Sequence, residues 1–306
     1  MTKVLVATEK PFALEALNQI KQIVVNAGFD FIALEKYTET SELLAAVKDV
    51  DALIIRSDKA SKEVIDAAAN LKIIVRAGAG YDNVDLAAAT AKNVVVMNTP
   101  GQNSNAVAEL VFGMMVFQAR SQFKGKSGSE LRGKSIGIHA YGNVGRYVAT
   151  LAKGFGMDVY AYDPFVKDAD IQNDGVKVLR SAEELYSKCH YISLHIPAND
   201  KTKKSINYKL LNLMPKGACL VNTARKEVIN EEDLLKIFAD RIDFTYLSDV
   251  APDCKDLIAQ NFDGRYFFTP KKMGAETAEA NINAGVAAAH QIVGFIEDGN
   301  TRYKVN

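Results

Sequence analysis

The chain has 306 residues, 48% of them apolar and 24% charged, which is enough for two domains that each bury a core. Lysine plus arginine equals aspartate plus glutamate at 37 each, so no overall field draws the protein to nucleic acid or to a membrane surface. No apolar run is long enough to span a bilayer and the amino terminus lacks signal-peptide architecture. The three cysteines (Cys189, Cys219 and Cys254) show neither metal-ligand spacing nor a disulfide framework, so the expectation is a reducing cytosol and no metal.

Strand and helix patterns alternate from the start. Val4 to Thr8, Phe29 to Leu34, Ala52 to Arg56, Leu71 to Arg76 and Val94 to Met97 read as strands. Pro11 to Asn26, Ser41 to Val47 and Lys62 to Ala69 read as helices, the last with Ser61 as N-cap. The apolar runs are continuous rather than alternating, as in a parallel sheet covered on both faces. Two strand ends carry residues capable of chemistry: Arg56-Ser57-Asp58-Lys59, and Arg76 followed by Gly78-Ala79-Gly80. Successive N–H groups at Gly78, Ala79 and Gly80 would suit an anion, and ligands of open α/β sheets bind beyond such strand ends. The plain alternatives are a simple turn and a solvated rim.

Ser104 to Ser121 reads as a long helix that is apolar on most faces, hence buried, with Met114 and Met115 in the core. The polar stretch 121–133 then leads into a second strand–helix series. Ser135 to Ala140 reads as a strand, Tyr141 to Gly145 as a turn, and Arg146 to Phe155 as the helix that the turn opens. Tyr141, Gly142, Asn143, Val144 and Gly145 would place backbone N–H groups against a pyrophosphate at a helix N-terminus. The first glycine of the usual three is replaced by Ala140. Asp163, with Pro164, ends the next strand, where a carboxylate accepts hydrogen bonds from ribose hydroxyls and repels a 2′-phosphate, favouring NAD over NADP.

Further strands are expected at Tyr191 to Leu194, Ala218 to Val221, Phe244 to Leu247 and Tyr266 to Phe268. The helices between them run from Ala182 to Ser187, around Lys209 to Leu213, and from Glu231 to Asp240 with Asn230 as N-cap. A last long helix spans Glu276 to Asp298. The strand ends carry His195, Arg225, Asp249, Asp253 and Lys271. Arg225 can clamp a carboxylate with its guanidinium fork; the alternative is a structural ion pair. Cys254 is a candidate nucleophile without an evident histidine partner. His139, His190 and His290 read as structural.

The segments RSDK (56–59), RAGAGYDNVDL (76–86), VVVMNTPGQNSNAVAEL (94–110), LRGKSIGI (131–138), HIP (195–197), NTARKEVIN (222–230) and SDVAPD (248–253) are similar, in order and spacing, to those of the D-isomer-specific 2-hydroxyacid dehydrogenases. The resemblance implies two doubly wound parallel-sheet domains. One is a flavodoxin-like substrate domain of residues 1–98 plus 283–306; the other is a Rossmann NAD-binding domain of residues 99–282, through which a homodimer forms. It implies a cofactor wall of His195, Ile196 and Pro197, with Thr223, Ala224, Asp249 and Gly274 also facing NAD, Asp249 beside the nicotinamide carboxamide. Arg225 becomes the catalytic arginine. Arg56, Ser57, Lys59, Gly78, Ala79, Gly80 and Asn103 become substrate contacts, with Arg56 and Lys59 nearer a phosphate.

Two positions depart from the family. The histidine that follows a late proline is Lys271, and the glutamate slot holds Cys254 with Asp253 before it. Lys271 can carry the proton, with Asp253 orienting it. The activity implied is NAD-dependent oxidation of 3-phospho-D-glycerate to 3-phosphohydroxypyruvate, without serine feedback. The rivals are a glyoxylate or hydroxypyruvate reductase and a catalytically silent NAD-responsive binding protein.

Overall fold

The computed structural model describes residues 1–306 and divides into two compact units, Met1–Asn103 with Glu276–Asn306, and Ser104–Ala275. In unit one the elements are β1 (Lys3–Thr8), α1 (Leu14–Asn26), β2 (Asp30–Glu35), α2 (Thr40–Ala46), β3 (Ala52–Ile55), α3 (Lys62–Ala67), β4 (Ile73–Arg76), α4 (Leu86–Ala91) and β5 (Val95–Asn98). Five parallel strands lie in the order β2-β1-β3-β4-β5, the flavodoxin-like arrangement expected. The central strands β1, β3 and β4 are almost wholly buried because one core layer covers each face of the sheet. Ser61 caps α3 through the Val64 N–H, as read from the sequence, and Asp85 caps α4 in the same way.

The boundaries expected at 98/99 and 282/283 need correction. The chain stays in unit one through Asn103, and the last helix returns to it from its first turn. The reason is local packing: Arg56 hydrogen-bonds Asn281, Ile282 packs on the core, and at Gly285 an added Cβ would stand 2.7 Å from Ile20 Cδ1. Asn306 then seals the open edge of β5 by accepting the Val96 N–H at 2.8 Å and donating to Val94 O at 2.9 Å.

Unit two contains α5 (Ser104–Ala119), β6 (Ser135–His139), α6 (Asn143–Gly154), β7 (Asp158–Tyr162), α7 (Asp168–Asn173), β8 (Lys177–Val178), α8 (Ala182–Lys188), β9 (Tyr191–Leu194), α9 (Tyr208–Leu213), β10 (Cys219–Asn222), α10 (Glu231–Asp240), β11 (Thr245–Ser248), α11 (Lys255–Asn261) and β12 (Tyr266–Phe268). The remaining element, α12 (Ala278–Asp298), is the helix that packs in unit one. Seven parallel strands run β12-β11-β10-β9-β6-β7-β8, so the strand order reverses between β6 and β9. That is the doubly wound dinucleotide-binding arrangement, with its switch point at the carboxyl ends of those two strands. Met114 and Met115 of α5 lie in its core. No helix is long and apolar enough to cross a membrane.

Candidate functional site

At the switch point of unit two, the loop after β6 is tighter than the sequence suggests. Asn143 to Gly145 form the first turn of α6, with Gly142 as N-cap, so the turn itself is only Ala140 to Gly142. Ala140 stands where the pattern has glycine and takes φ +80°, a left-handed conformation that costs an L-residue about 1–2 kcal/mol. The two retained glycines do different jobs. A Cβ on Gly145 would stand 2.6 Å from Ala140 O and 3.0 Å from Ile138 Cγ2, so Gly145 permits the helix to close on the strand. A Cβ on Gly142 would meet nothing within 4 Å. No side chain caps α6, which leaves its first N–H groups directed at that open space with the positive end of the helix dipole behind them.

Tyr141 is corrected from a cofactor contact to a structural residue. Its ring is fully buried, its hydroxyl donates to Asp174 Oδ2 at 3.1 Å, and burial pushes its phenol pKa up. Its N–H is also spoken for, donating to Asp163 Oδ2 at 2.7 Å. Asp163 accepts in addition the N–H of Phe165 at 2.8 Å and of Val166 at 3.3 Å, so this carboxylate fastens the glycine loop as well as ending β7. Asn143 and Val144 open α6, and Pro164 is exposed beside Asp163.

His195, beyond β9, shares a hydrogen bond of 2.9 Å between its Nε2 and Ser193 Oγ, and is followed by buried Ile196 and exposed Pro197. Burial lowers its imidazole to about 3, with His139 adding to the effect. Burial likewise lowers His139 to about 4, against a smaller opposing pull from Asp163. Both rings are neutral in the folded chain, whereas in the unfolded chain each takes a proton near pH 6.5. The unfolded state therefore binds more protons as pH falls from 6.5 toward about 4, and stability drops through that window. For His139 the slope is at most about 1.4 kcal/mol per pH unit. Urea unfolding at about pH 7 and about pH 5 checks this, because His139→Gln should flatten the slope. An unchanged slope would mean that other groups carry it.

The strand ends of β10, β11 and β12 meet around a recess of about 360 Å³ lined by Arg225, Lys226, Glu227, Asp249, Lys271 and Lys272, among others. Arg225 is exposed, and its Nη1 donates to Ala224 O at 2.9 Å rather than to a carboxylate. Buried Asn222, which the sequence reading passed over, shapes this turn. Its Nδ2 donates to Arg225 O at 3.0 Å and its Oδ1 accepts the Ala224 N–H at 3.0 Å. Thr223 is buried with a hydroxyl that has no partner in the chain. Lys271 is exposed and its ammonium makes no hydrogen bond or ion pair.

Three assignments around the recess change. Asp253 does not orient Lys271; it pairs with Lys226 at 2.5 Å. The cause is Glu231 in the first turn of α10, whose carboxylate accepts the N–H groups of Asp253 and Cys254, both at 2.8 Å, and fixes the bend. Cys254 is the N-cap of α11, and burial together with Glu231 pushes its thiol up to about 12, so it is no nucleophile. Asp249, 1% exposed, spends its carboxylate on Thr269 Oγ1 (3.0 Å) and on the N–H groups of Met273 (2.7 Å) and Gly274 (2.9 Å). The Gly274 N–H is thereby committed to Asp249, whose Oδ2 accepts only this one bond and so keeps room for a second donor.

In unit one, Arg56 is likewise structural. Its Nη1 donates to Lys10 O and Pro11 O, both at 3.1 Å, its Nη2 to Asn281, and its guanidinium lies 5.1 Å from the Phe12 ring centroid. Buried Asp58, in the strand-end stretch singled out for chemistry, instead organises the same loop by accepting from Glu9 N–H, Tyr37 OH and Arg56 N–H. Gly78 donates its N–H to Arg76 O at 2.8 Å, so only Ala79 and Gly80 keep free N–H groups. A Cβ on Gly78 would overlap Arg76 Nη1 at 1.6 Å, which explains the glycine. Asn98 secures the loop through Ala79 O at 2.6 Å. Ser57 and Lys59 are exposed beside it, and Asn103 is the unit's last residue before α5.

The open space at Gly142, the uncapped N-terminus of α6 and the unpartnered Thr223 hydroxyl fit a dinucleotide. The pattern described as D-isomer specific 2-hydroxyacid dehydrogenase, NAD binding domain, matches residues 106–256. The hydroxypyruvate reductase of Thermotoga maritima is 34% identical over 277 residues, covering 84% of this chain and 88% of that relative. The D-3-phosphoglycerate dehydrogenase of Methanocaldococcus jannaschii is 34% identical over 300 residues, covering 92% of this chain and 54% of its own length. The chain thus spans about half the length of that relative and of its pig counterpart. The crystal structure of cofactor (NAD+)-bound 3-phosphoglycerate dehydrogenase from Entamoeba histolytica superposes with a TM-score of 0.87 at 46% identity, covering 100% of this chain and 98% of that one. With its doubly wound units, its glycine loop and these relatives, the chain belongs to the D-isomer specific 2-hydroxyacid dehydrogenases and carries their NAD-binding domain.

Proposed function

We propose that the protein catalyses NAD-dependent interconversion of 3-phospho-D-glycerate and 3-phosphohydroxypyruvate, with Arg225 as the substrate clamp and Lys271 as the proton carrier. The observation that carries this reading is the recess that brings Arg225 and an unpaired Lys271 ammonium to one rim. When bound, NAD supplies the hydride acceptor or donor. The chain's own residues do the rest. Arg225 offers two parallel N–H groups to a carboxylate, and Lys271 donates a proton to the ketone oxygen in reduction or accepts it from the alcohol in oxidation. Asn143, Val144 and their neighbours at the start of α6 hold the pyrophosphate, Asp163 the ribose, and Thr223 gains a partner.

Basic residues outnumber acidic ones around the recess. Arg225, Lys226, Lys271 and Lys272 face Glu227 and Asp249 there, and although Lys226 is paired with Asp253, the balance stays positive and favours an anionic substrate. Lys59 and the free N–H groups of Ala79 and Gly80 are the anion contacts proposed for unit one. The same proposal includes a cytoplasmic homodimer formed through the NAD-binding unit, where Phe123 is 67% exposed.

The test is NADH oxidation with 3-phosphohydroxypyruvate beside unphosphorylated hydroxypyruvate. A strong preference for the phosphorylated acid is the expected result. Preference for the unphosphorylated acid would move the protein to the reductase reading, which the T. maritima relative favours. NADH binding without turnover of either acid would leave only a cofactor-sensing role.

A further inference from the structure

Lys271 sits in a stretch of chain between β12 and α12 that has no secondary structure of its own. One side chain holds that stretch. Asp249 accepts from Thr269 Oγ1 at 3.0 Å, two residues before Lys271. It accepts from the N–H of Met273 at 2.7 Å and of Gly274 at 2.9 Å, two and three residues after it. The bonds straddle the lysine, and the two to N–H groups are as short as charge-assisted bonds should be. Space enforces the same register: a Cβ on Gly274 would stand 3.0 Å from Asp249 Oδ2 and 3.2 Å from Val107 Cγ2 of α5. Asp249 is itself anchored, because its N–H donates to Asn222 O at 3.0 Å. Asn222 is the residue whose amide fixes the Arg225 turn.

We infer that Asp249, beyond its place beside the cofactor, is a positioning residue that sets where the Lys271 ammonium stands relative to the Arg225 guanidinium. The inference rests on the reading of Lys271 as proton carrier. Through Asn222 and Asp249, one pair of adjacent strand ends fixes both functional loops. Neutralising the carboxylate removes an acceptor at Oδ2, so the Gly274 N–H loses its partner and the loop is free to shift. Displacement of a reacting group by about 1 Å costs up to a hundredfold in rate.

The test places Asp249→Asn and Gly274→Ala in the full chain, each with Lys271 intact and with Lys271→Ala. The Gly274 variant presses on the same clamp without changing charge, and both are checked for folding by thermal melt. Each is expected to lower kcat about tenfold to a hundredfold while leaving NADH affinity unchanged. The limb of the pH–rate profile that belongs to the lysine should also move, which a purely structural residue would not cause. In the Lys271→Ala background the same changes should alter the residual rate by less than about twofold, because two residues acting as one unit are not additive. Weakening of NADH binding in step with kcat would show that the loss runs through the cofactor and not through Lys271, and would overturn the positioning role. A full multiplicative loss in the Lys271→Ala background would show that Asp249 acts through something else. Lys271→Ala with wild-type kcat would defeat the proton-carrier reading itself, a result separable from the other two.

Discussion

Lys271→Ala is expected to lower kcat for keto-acid reduction by about 10²- to 10⁴-fold, the usual loss when a positioned acid is removed, while NADH binds as before. The lysine stands on the rim of the Arg225 recess with no partner to neutralise it, so its proton is available to a substrate oxygen. Two further substitutions separate charge from proton transfer. Lys271→Arg keeps the positive charge, and so should keep the KM for an anionic substrate, but a guanidinium does not release its proton at accessible pH and kcat should stay low. Lys271→His restores a group that exchanges its proton and is the family's usual residue. It should recover part of the rate, with a pH–rate profile that differs from the wild type's because an imidazole replaces an ammonium as the proton carrier. Steady-state kinetics across pH decides the matter. If Lys271→Arg turned over as fast as wild type, the residue would be an electrostatic clamp and the proton would come from elsewhere.

The strands and the two doubly wound sheets were legible because the buried strands are continuous apolar runs, and nothing but burial on both faces explains such runs. The short elements α4, α7, α11 and β8 were missed: α4 is mostly alanine, α7 and α11 each bury a single isoleucine and so show no apolar stripe, and β8 has only two residues. The glycine loop was found from spacing, yet its strain at Ala140 was not, because a left-handed φ leaves no mark on an alanine. Pairings were the least legible part. Asp253, Lys226 and Lys271 all crowd one strand-end region, and the sequence offers no way to know that Glu231 would draw the Asp253 N–H and turn that side chain to Lys226. Arg56 fell for the same reason: its partners Lys10, Pro11 and Asn281 are distant in sequence. A strand-end position identifies a residue as able to reach a ligand; hydrogen bonds to the rest of the chain decide whether it is free to.

The three positions Ala140, Gly142 and Gly145 should respond to substitution in three different ways. Ala140→Gly relieves a left-handed φ of +80° and should raise stability by about 0.5–1 kcal/mol, with cofactor affinity unchanged. Gly145→Ala places a methyl 2.6 Å from the Ala140 carbonyl, a backbone atom that cannot swing away, and should cost about 1–3 kcal/mol of stability. Gly142→Val should leave the melting temperature where it is. Its side chain meets nothing in the protein within 4 Å, and the extended conformation at this N-cap suits a β-branched residue. Its cost falls on the ligand. The added methyls occupy the space in front of the uncapped N–H groups of α6, and losing one or two charge-assisted bonds, at about 1.5–3 kcal/mol each, corresponds to a weakening of NADH of about a hundredfold. Thermal melts with and without NADH, together with fluorescence titration, read both quantities on the same samples. NADH binding to Gly142→Val with wild-type affinity would place the pyrophosphate away from α6, and with it would go the link between this loop and the cofactor.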